Sequence, residues 1–106
     1  MPARHHTKII AMTSDKQSSE KRTNRIRRLI YRSAYTGMRE TDQLLGPFAR
    51  ECLTSMNDAE LDAYEALLDE GDPIIWGWLS GNVDIPSNYS NAALDRLMFW
   101  CENRQS

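Results

Sequence analysis

Residues 57–81 read NDAELDAYEALLDEGDPIIWGWLSG, and this stretch contains the boundaries of two consecutive helices. Asn57 and Glu60 have the spacing of a capping box, in which each side chain binds the backbone N–H of the other residue. This pattern predicts a helix from Asp58 to about Asp69, with Leu61, Tyr64 and Leu68 facing inward.

The second half of the stretch predicts a short and very apolar helix. Gly71 ends the preceding helix, and Asp72-Pro73 provides a cap and a proline in the first turn of the next one. Gly81 is expected to follow the last turn in a left-handed conformation. Trp78 is expected in the core, whereas Trp76 points to another side, where core packing and an exposed interface role both stay open.

A helix with a strong apolar stripe precedes this stretch, from near Gly37 to about Cys52. Its inward positions step by three or four residues: Met38, Thr41, Leu45, Phe48 and Cys52. Gly46-Pro47 interrupts the pattern, and Pro47 has no N–H for the carbonyl of Gln43. We therefore expect a kink or a short break there.

The first helix is predicted from about Thr23 to Ser33. Its inward positions are Ile26, Leu29, Ile30 and Ser33. Arginines fill the rest of its circumference, and together with Lys21 and Arg22 they make residues 21–39 strongly basic. The carboxylates that follow from Asp58 to Glu70 are expected to form a solvated helix face.

The last helix is predicted from about Asn91 to Asn103, with Ser90 as its cap. Its inward positions are Leu94, Leu97, Met98 and Cys101. No segment alternates as a strand does, so the predicted fold is a small all-α five-helix bundle. Residues 1–22 are predicted to be a disordered N-terminal tail, and residues 23–106 the helical domain.

Composition excludes several classes of function. The net charge of the 106 residues is -2, so no overall positive field attracts nucleic acid, and no apolar run is long enough to insert into a membrane. The two histidines, His5 and His6, lie in the predicted tail, so neither a metal site nor histidine-based catalysis is supported. Cys52 and Cys101 fall on apolar stripes and are expected to pack as small hydrophobes. The chain is predicted not to be an enzyme.

The basic segment leaves three interpretations open. It is a solvated helix face, a phosphate-binding surface that uses Tyr31 and Tyr35 as well, or a docking surface for a protein with an acidic patch. The change from a basic to an acidic segment along the chain favours oriented docking to a protein partner over nucleic acid.

The segment YTGMRETD, residues 35–42, joins the first two predicted helices. Gly37 permits backbone angles that other residues avoid. With Gly37 as N-cap, Glu40 lies at the third helical position, where a carboxylate favours the helix dipole. With Thr36 as N-cap, its hydroxyl accepts from the first-turn amides.

Residues 27–49, RRLIYRSAYTGMRETDQLLGPFA, followed by residues 58–81, resemble the small succinate dehydrogenase assembly factors. That family has an Arg-Gly-x-x-Glu motif between its first two helices, then an Asp-Pro opening a helix that contains Trp. Gly37 and Glu40 match the motif, but Thr36 stands where the family has Arg. Arg32 and Arg39 are the nearby cations that can compensate for it.

The resemblance implies an assembly chaperone that binds the flavoprotein subunit of succinate dehydrogenase or fumarate reductase and promotes its covalent FAD attachment to a client histidine. It implies that Thr36, Gly37 and Glu40, with Arg32 and Arg39, contact the client. It also implies that FAD belongs to the client, so that the chain has no cofactor of its own. We expect a monomer in a bacterial cytoplasm, with the mitochondrial matrix as alternative. The alternative function is a small nucleic-acid-binding or regulatory protein that uses the Arg-rich first helix.

Overall fold

The structure, a computed structural model, describes residues 19–104, which form five α-helices and one 3-10 turn and contain no strand. The helices are α1 (residues 19–34), α2 (Arg39–Cys52), α3 (Asp58–Asp69), α4 (Asp72–Ser80) and α5 (Ala92–Arg104), and the 3-10 turn Leu53–Ser55 follows α2. The predicted all-α fold with five helices is confirmed.

Phe48 of α2 lies at the centre of the core. Its side chain is fully buried, and its ring centroid is 5.7 Å from that of Tyr64 on α3 and 5.6 Å from that of Trp100 on α5. One aromatic side chain therefore joins three helices. Most of the predicted inward positions are buried, as follows: Ile26, Leu29, Ser33, Thr41, Leu45, Phe48, Leu61, Tyr64, Leu68, Trp78, Leu94 and Leu97.

The boundaries predicted for α3 and for the end of α4 are confirmed. The Glu60 N–H donates to Asn57 Oδ1 at 2.8 Å, and the Asn57 N–H donates to Glu60 Oε1 at 3.0 Å. Gly81 follows α4 with φ of +81°, and its N–H donates to the Trp78 carbonyl. Local side-chain and backbone chemistry determines both ends, so neither depends on distant contacts.

Glu60 gives this capping box a pH dependence. The Asn57 N–H and then Arg96, whose Nη1 lies 3.2 Å from Glu60 Oε2, hold the pKa of Glu60 below its ordinary 4.5. A carboxyl with a lowered folded-state pKa stabilises the fold above the unfolded-state pKa, and this stabilisation is lost as the pH falls. We expect Glu60→Gln to lower Tm at pH 7, and the difference from wild type to shrink below pH 4.5. A difference that stays constant from pH 7 to pH 3 on thermal unfolding by circular dichroism would contradict this assignment.

α1 begins before the predicted Thr23, since residues 19–22 are already helical. The Arg22 guanidinium donates to the Met56 carbonyl and to Asp58 Oδ1, so contacts with the start of α3 stabilise this early turn. The helical part of the chain therefore includes the last residues of the segment predicted to be the tail. The rest of the predicted tail, with His5 and His6, lies outside the described residues.

Three arginines of α1 pair with the acidic face of α3. Nitrogen–oxygen distances are 3.1 Å for Arg22–Asp58, 2.6 Å for Arg25–Asp62, 3.1 Å for Arg25–Glu65 and 2.7 Å for Arg32–Asp69. Because the residue numbers rise together along both helices, α1 and α3 run in the same direction. The α3 carboxylates predicted to form a solvated face thus act as partners of α1, although each exposed pair contributes only about 0–1 kcal/mol.

A buried hydrogen bond also joins these two helices. Ser33 Oγ lies 2.5 Å from Tyr64 Oη and donates to the Leu29 carbonyl at 2.7 Å. Burial raises the pKa of the Tyr64 hydroxyl. Ser33 was predicted as a small inward residue, and the structure shows that it also provides the polar partner that a buried tyrosine requires.

α2 runs without interruption through Pro47, so of the kink or short break predicted at Gly46-Pro47, the break is wrong. Gln43, whose carbonyl the proline leaves without its usual donor, is an exposed residue, so solvent can satisfy that carbonyl. Gly46 is buried, and a Cβ placed on it would lie 3.6 Å from Ala34 Cα. This distance is an ordinary van der Waals contact, so Gly46 packs against α1 at a position where a Cβ would cause no clash.

α5 begins at Ala92, and its cap is Asn91 rather than the predicted Ser90. Asn91 Oδ1 accepts from the Leu94 N–H at 2.9 Å, while Asn91 Nδ2 donates to the Ala63 carbonyl at 2.8 Å. Asn91 therefore caps α5 and fixes it to α3 at once. A serine side chain is too short for both tasks.

Both cysteines are half-buried against the core and unpaired with each other, in line with their predicted packing role. Burial raises the pKa of the Cys52 and Cys101 thiols, which keeps both in the less reactive form. Within residues 19–104, no cluster of three His, Cys, Asp or Glu side chains has the arrangement of a metal site. No helix in that range combines the length and apolar character needed to cross a bilayer.

Candidate functional site

Residues 35–38 form a tight joint between α1 and α2. Gly37 has φ of +120°, a backbone conformation that residues with a Cβ rarely adopt. A Cβ on Gly37 would also lie 3.4 Å from Asp72 Oδ2. The backbone conformation accounts for the glycine at this motif position, and the contact distance shows that Asp72 lies directly beside it.

Two carboxylates hold the joint in place. The Thr36 N–H donates to Asp42 Oδ1 at 2.7 Å, and the Thr36 hydroxyl donates to the same oxygen. From α4, Asp72 Oδ2 accepts from the Met38 N–H at 2.7 Å. One carboxylate therefore reaches back from α2, and the other ties the joint to the start of α4.

This arrangement corrects both capping predictions for α2. Met38 is the N-cap, with extended backbone angles and no side-chain cap, so Glu40 is the second helical residue rather than the third. The Thr36 hydroxyl donates to a carboxylate and does not accept from first-turn amides. Asp72 was predicted to cap α4, but it is the first residue of that helix and binds the α1–α2 joint instead.

A cleft of about 460 Å³ opens beside the joint. Arg32, Tyr35, Thr36 and Gly37 line one side, and Leu68, Gly71 and Pro73 belong to the other. Gly37 is exposed at this cleft, so its backbone is accessible to another molecule. The cleft therefore combines an approachable backbone, a guanidinium and an exposed aromatic ring.

Glu40 lines a second depression, of about 500 Å³, on another part of the surface. Its other lining residues are Gln43, Leu44, Trp76, Leu79, Cys101 and Arg104. Trp76 is half-buried here, so it is neither a fully buried core residue nor a fully exposed interface residue, the two roles left open for it. α4 lines both depressions, the cleft with its first turn and the second depression with Trp76 and Leu79.

The structure brings the five predicted site residues only partly together. Arg32, Thr36 and Gly37 line the cleft, and Glu40 lines the second depression. Arg39 is exposed and lines neither. Arg32 also pairs with Asp69 at 2.7 Å, and it lines the cleft together with Thr36, which stands where the motif has arginine.

Asp42 and Asp72 are site residues that the sequence analysis did not single out. Asp42 lies six residues after Thr36, and Asp72 is 34 residues from Met38, so only the folded chain shows their contacts. For Asp72, the sequence indicated only its place at the start of a helix and not its contact with Met38.

Comparison with known families matches residues 27–100 to a family described as flavinator of succinate dehydrogenase. The matched span contains the joint, both depressions except Cys101 and Arg104, and all five predicted site residues. The chain belongs to this flavinator family. The resemblance on which the site prediction rests is therefore confirmed at the level of the family.

Curated relatives agree with this assignment. A protein named succinate dehydrogenase assembly factor 2, mitochondrial, from Meyerozyma guilliermondii is 37% identical over 100 residues, which covers 92% of this chain and 74% of the relative. Proteins of the same name from Candida glabrata and Saccharomyces cerevisiae are 42% and 35% identical, over 74% and 91% of this chain and 54% and 62% of their own lengths.

The chain spans between 32% and 74% of the lengths of the curated relatives compared. Their names describe assembly factors and not catalysts, which confirms the prediction that this flavinator-family chain is not an enzyme. These relatives are also named as mitochondrial proteins.

The Arg-rich α1 is less available to nucleic acid than its sequence indicates. Three of its arginines, Arg22, Arg25 and Arg32, are engaged with carboxylates of α3. A phosphate-binding helix needs free cations, and each internal pair removes one of them. The structure therefore gives no support to the alternative function in nucleic-acid binding.

Proposed function

We propose that this chain binds the flavoprotein subunit of succinate dehydrogenase and promotes the covalent attachment of FAD to it. The joint, the cleft and the second depression form the contact surface in this proposal. The chain supplies no catalytic group. It binds more tightly to the client conformation in which the flavin and the acceptor histidine are aligned. A protein that prefers the reactive conformation of its partner raises the population of that conformation and so speeds the reaction.

The observation that carries the proposal is the carboxylate-held joint in a chain of the flavinator family. Asp42 and Asp72 fix the backbone of Thr36 and Met38, so the exposed Gly37 keeps one conformation before the client arrives. A preformed surface loses little conformational entropy on binding. The family match and the joint together support client binding at this place.

FAD belongs to the client in this proposal. The joint is a poor site for a dinucleotide, because Asp42 and Asp72 already accept the N–H groups of Thr36 and Met38. Pyrophosphate is usually held by free backbone N–H groups at a helix start, and two carboxylates beside it would repel it. The residues around the joint therefore suit a protein surface better than the cofactor itself.

The mitochondrial matrix is the location that we propose, in place of the bacterial cytoplasm that was first expected. The curated relatives are named as mitochondrial, and this favours the mitochondrial alternative. The client in that case is the succinate dehydrogenase flavoprotein and not a fumarate reductase. We propose that the chain acts as a monomer.

Glu40→Ala tests the contact surface. Glu40 is exposed and accepts no side-chain hydrogen bond that the structure records, so its loss should leave Tm close to that of wild type. Loss of one charge-assisted contact of about 1.5–3 kcal/mol should weaken binding to the purified flavoprotein subunit by about tenfold or more. Isothermal titration calorimetry measures the affinity, and thermal unfolding checks the fold.

Glu102→Ala is the matched control, since Glu102 is an exposed glutamate of α5 that lines neither depression. It should bind the client as wild type does. If Glu40→Ala binds equally well, Glu40 is not a contact. If Glu40→Ala unfolds the protein while the folded fraction binds normally, its role is confined to the start of α2.

A further inference from the structure

α1 presents a surface that extends beyond the client-binding joint. Its outward side carries Arg27, Arg28 and Tyr31, and Tyr35 of the joint follows directly after the helix. We call these four residues the tyrosine–arginine stripe. All four are exposed, while Ile26, Leu29 and Ser33 on the opposite side are buried. The stripe therefore faces away from the core along about two turns of the helix.

The two tyrosines are unusually open for large aromatic side chains. Tyr31 is 68% exposed and Tyr35 is 69% exposed, and their ring centroids lie 4.7 Å apart. The two rings pack against each other in a tilted arrangement, with an interplanar angle of 39°. Exposed tyrosines are among the side chains that contribute most to protein–protein interfaces.

The stripe is positively charged and has no carboxylate of its own. Arg27 and Arg28 form no ion pair with any residue in the described range 19–104, in contrast to Arg22, Arg25 and Arg32. No Asp or Glu occurs between Lys21 and Arg39. The stripe can therefore complement a negative surface, whereas the opposite flank of α1 is already neutralised by α3.

The stripe is continuous with the proposed client site. Tyr35 belongs to the stripe and also lines the cleft with Thr36 and Gly37. A molecule seated in the cleft is therefore adjacent to Tyr35, and one further helical turn brings it to Tyr31. Arg27 and Arg28 follow at the next turn.

We propose that the tyrosine–arginine stripe docks a carboxylate-bearing segment of the flavoprotein subunit that binds at the joint, and this rests on the proposed function. The tyrosine rings pack on the aliphatic part of that segment, and Arg27 and Arg28 pair with its carboxylates. The partner is a protein rather than nucleic acid, because Arg22, Arg25 and Arg32 of the same helix are already paired with carboxylates of α3. Each such pair reduces the number of cations that can release counterions from a nucleic acid.

The test compares affinities for the purified flavoprotein subunit. Tyr31→Ala/Tyr35→Ala should weaken binding by about tenfold or more, because exposed aromatic anchors dominate interface energies. Arg27→Glu and Arg28→Glu, each made singly, should weaken binding at low salt and reduce its salt dependence. Wild-type affinity in all three variants would overturn the inference.

Two matched controls show whether a loss of affinity depends on the stripe or follows from any change of an exposed aromatic or cationic side chain. Phe99→Ala removes an aromatic side chain that is 67% exposed on α5, and Arg50→Glu reverses an exposed cation of α2. Both should bind as wild type does. Circular dichroism establishes that the stripe variants keep the helical fold, which is expected because the four side chains are exposed.

Three further outcomes are informative. If wild type binds but the stripe variants bind equally well while Glu40→Ala does not, the inference fails and the proposed function survives. If wild type does not bind the flavoprotein subunit, both fail. If the arginine variants lose only an affinity for a short DNA duplex, the stripe is a nucleic-acid surface and the inference is overturned.

Discussion

Phe48→Ala should lower the free energy of unfolding by about 3–5 kcal/mol, which is the usual cost of truncating a fully buried phenylalanine. The side chain is 0% exposed and contacts the rings of Tyr64 and Trp100, so the change leaves a cavity between α2, α3 and α5. A small domain has a net stability of roughly 5–15 kcal/mol, so this one substitution removes a large share of it. Urea unfolding followed by tryptophan fluorescence measures the effect.

Phe99→Ala is the control for this prediction. It makes the same chemical change at a residue that is 67% exposed, and it should shift stability by less than about 0.5 kcal/mol. Equal destabilisation by the two substitutions would show that Phe48 is not at the centre of the core. A loss at Phe48 alone confirms the packing described above.

Gly37→Ala should both destabilise the protein and disrupt the client-binding surface. A residue with a Cβ at φ of +120° costs about 1–3 kcal/mol, because side chains disfavour that region. The new Cβ would contact Asp72 Oδ2 at 3.4 Å, and this carboxylate accepts from the Met38 N–H, so relief of the backbone strain would disturb the joint. We expect a lower Tm and, well below that Tm, an affinity for the flavoprotein subunit reduced by about tenfold or more.

Gly81→Ala separates these two effects. Gly81 also has positive φ, +81°, but a Cβ there meets no atom within 4 Å, and the residue lies at the end of α4 away from the joint. Its substitution should lower Tm and leave client affinity unchanged. If Gly37→Ala also retained wild-type affinity, the joint would not be part of the contact surface.

Elements with local signals were predictable from sequence. The capping box of Asn57 and Glu60 predicted the start of α3 at Asp58, and Gly81 ended α4 as expected, because the determining atoms lie within four residues of each other. The early start of α1 was not predictable in this way. It depends on Arg22 reaching Met56 and Asp58, residues that are distant along the chain.

The candidate site was predicted in part for the same reason. Gly37 was recognised as a residue with special backbone angles, and its φ of +120° confirms this. The contact between Asp72 and Met38 spans 34 residues, so the sequence could indicate a helix start but not the partner it binds. The separation of Glu40 from Gly37 into two depressions likewise depends on where α4 lies.

The charge pattern of α1 and α3 is a third feature that the sequence predicts only in part. Basic α1 was interpreted as a solvated or partner-binding face and acidic α3 as a solvated face, because periodicity shows which residues share a face but not what the face contacts. The pairing of Arg25 with Asp62 and Glu65 shows that part of that charge is internal. The tyrosine–arginine stripe that remains contains fewer residues than the basic segment, and it combines guanidinium groups with exposed aromatic rings.

Covalent flavin on the succinate dehydrogenase flavoprotein subunit, read by in-gel fluorescence after denaturing electrophoresis, tests the central proposal most directly. Cells lacking this protein should show a strong loss of that fluorescence at unchanged subunit abundance. Wild type should restore the fluorescence, and Glu40→Ala should restore it only partly. Full fluorescence in the cells that lack the protein would contradict the proposal.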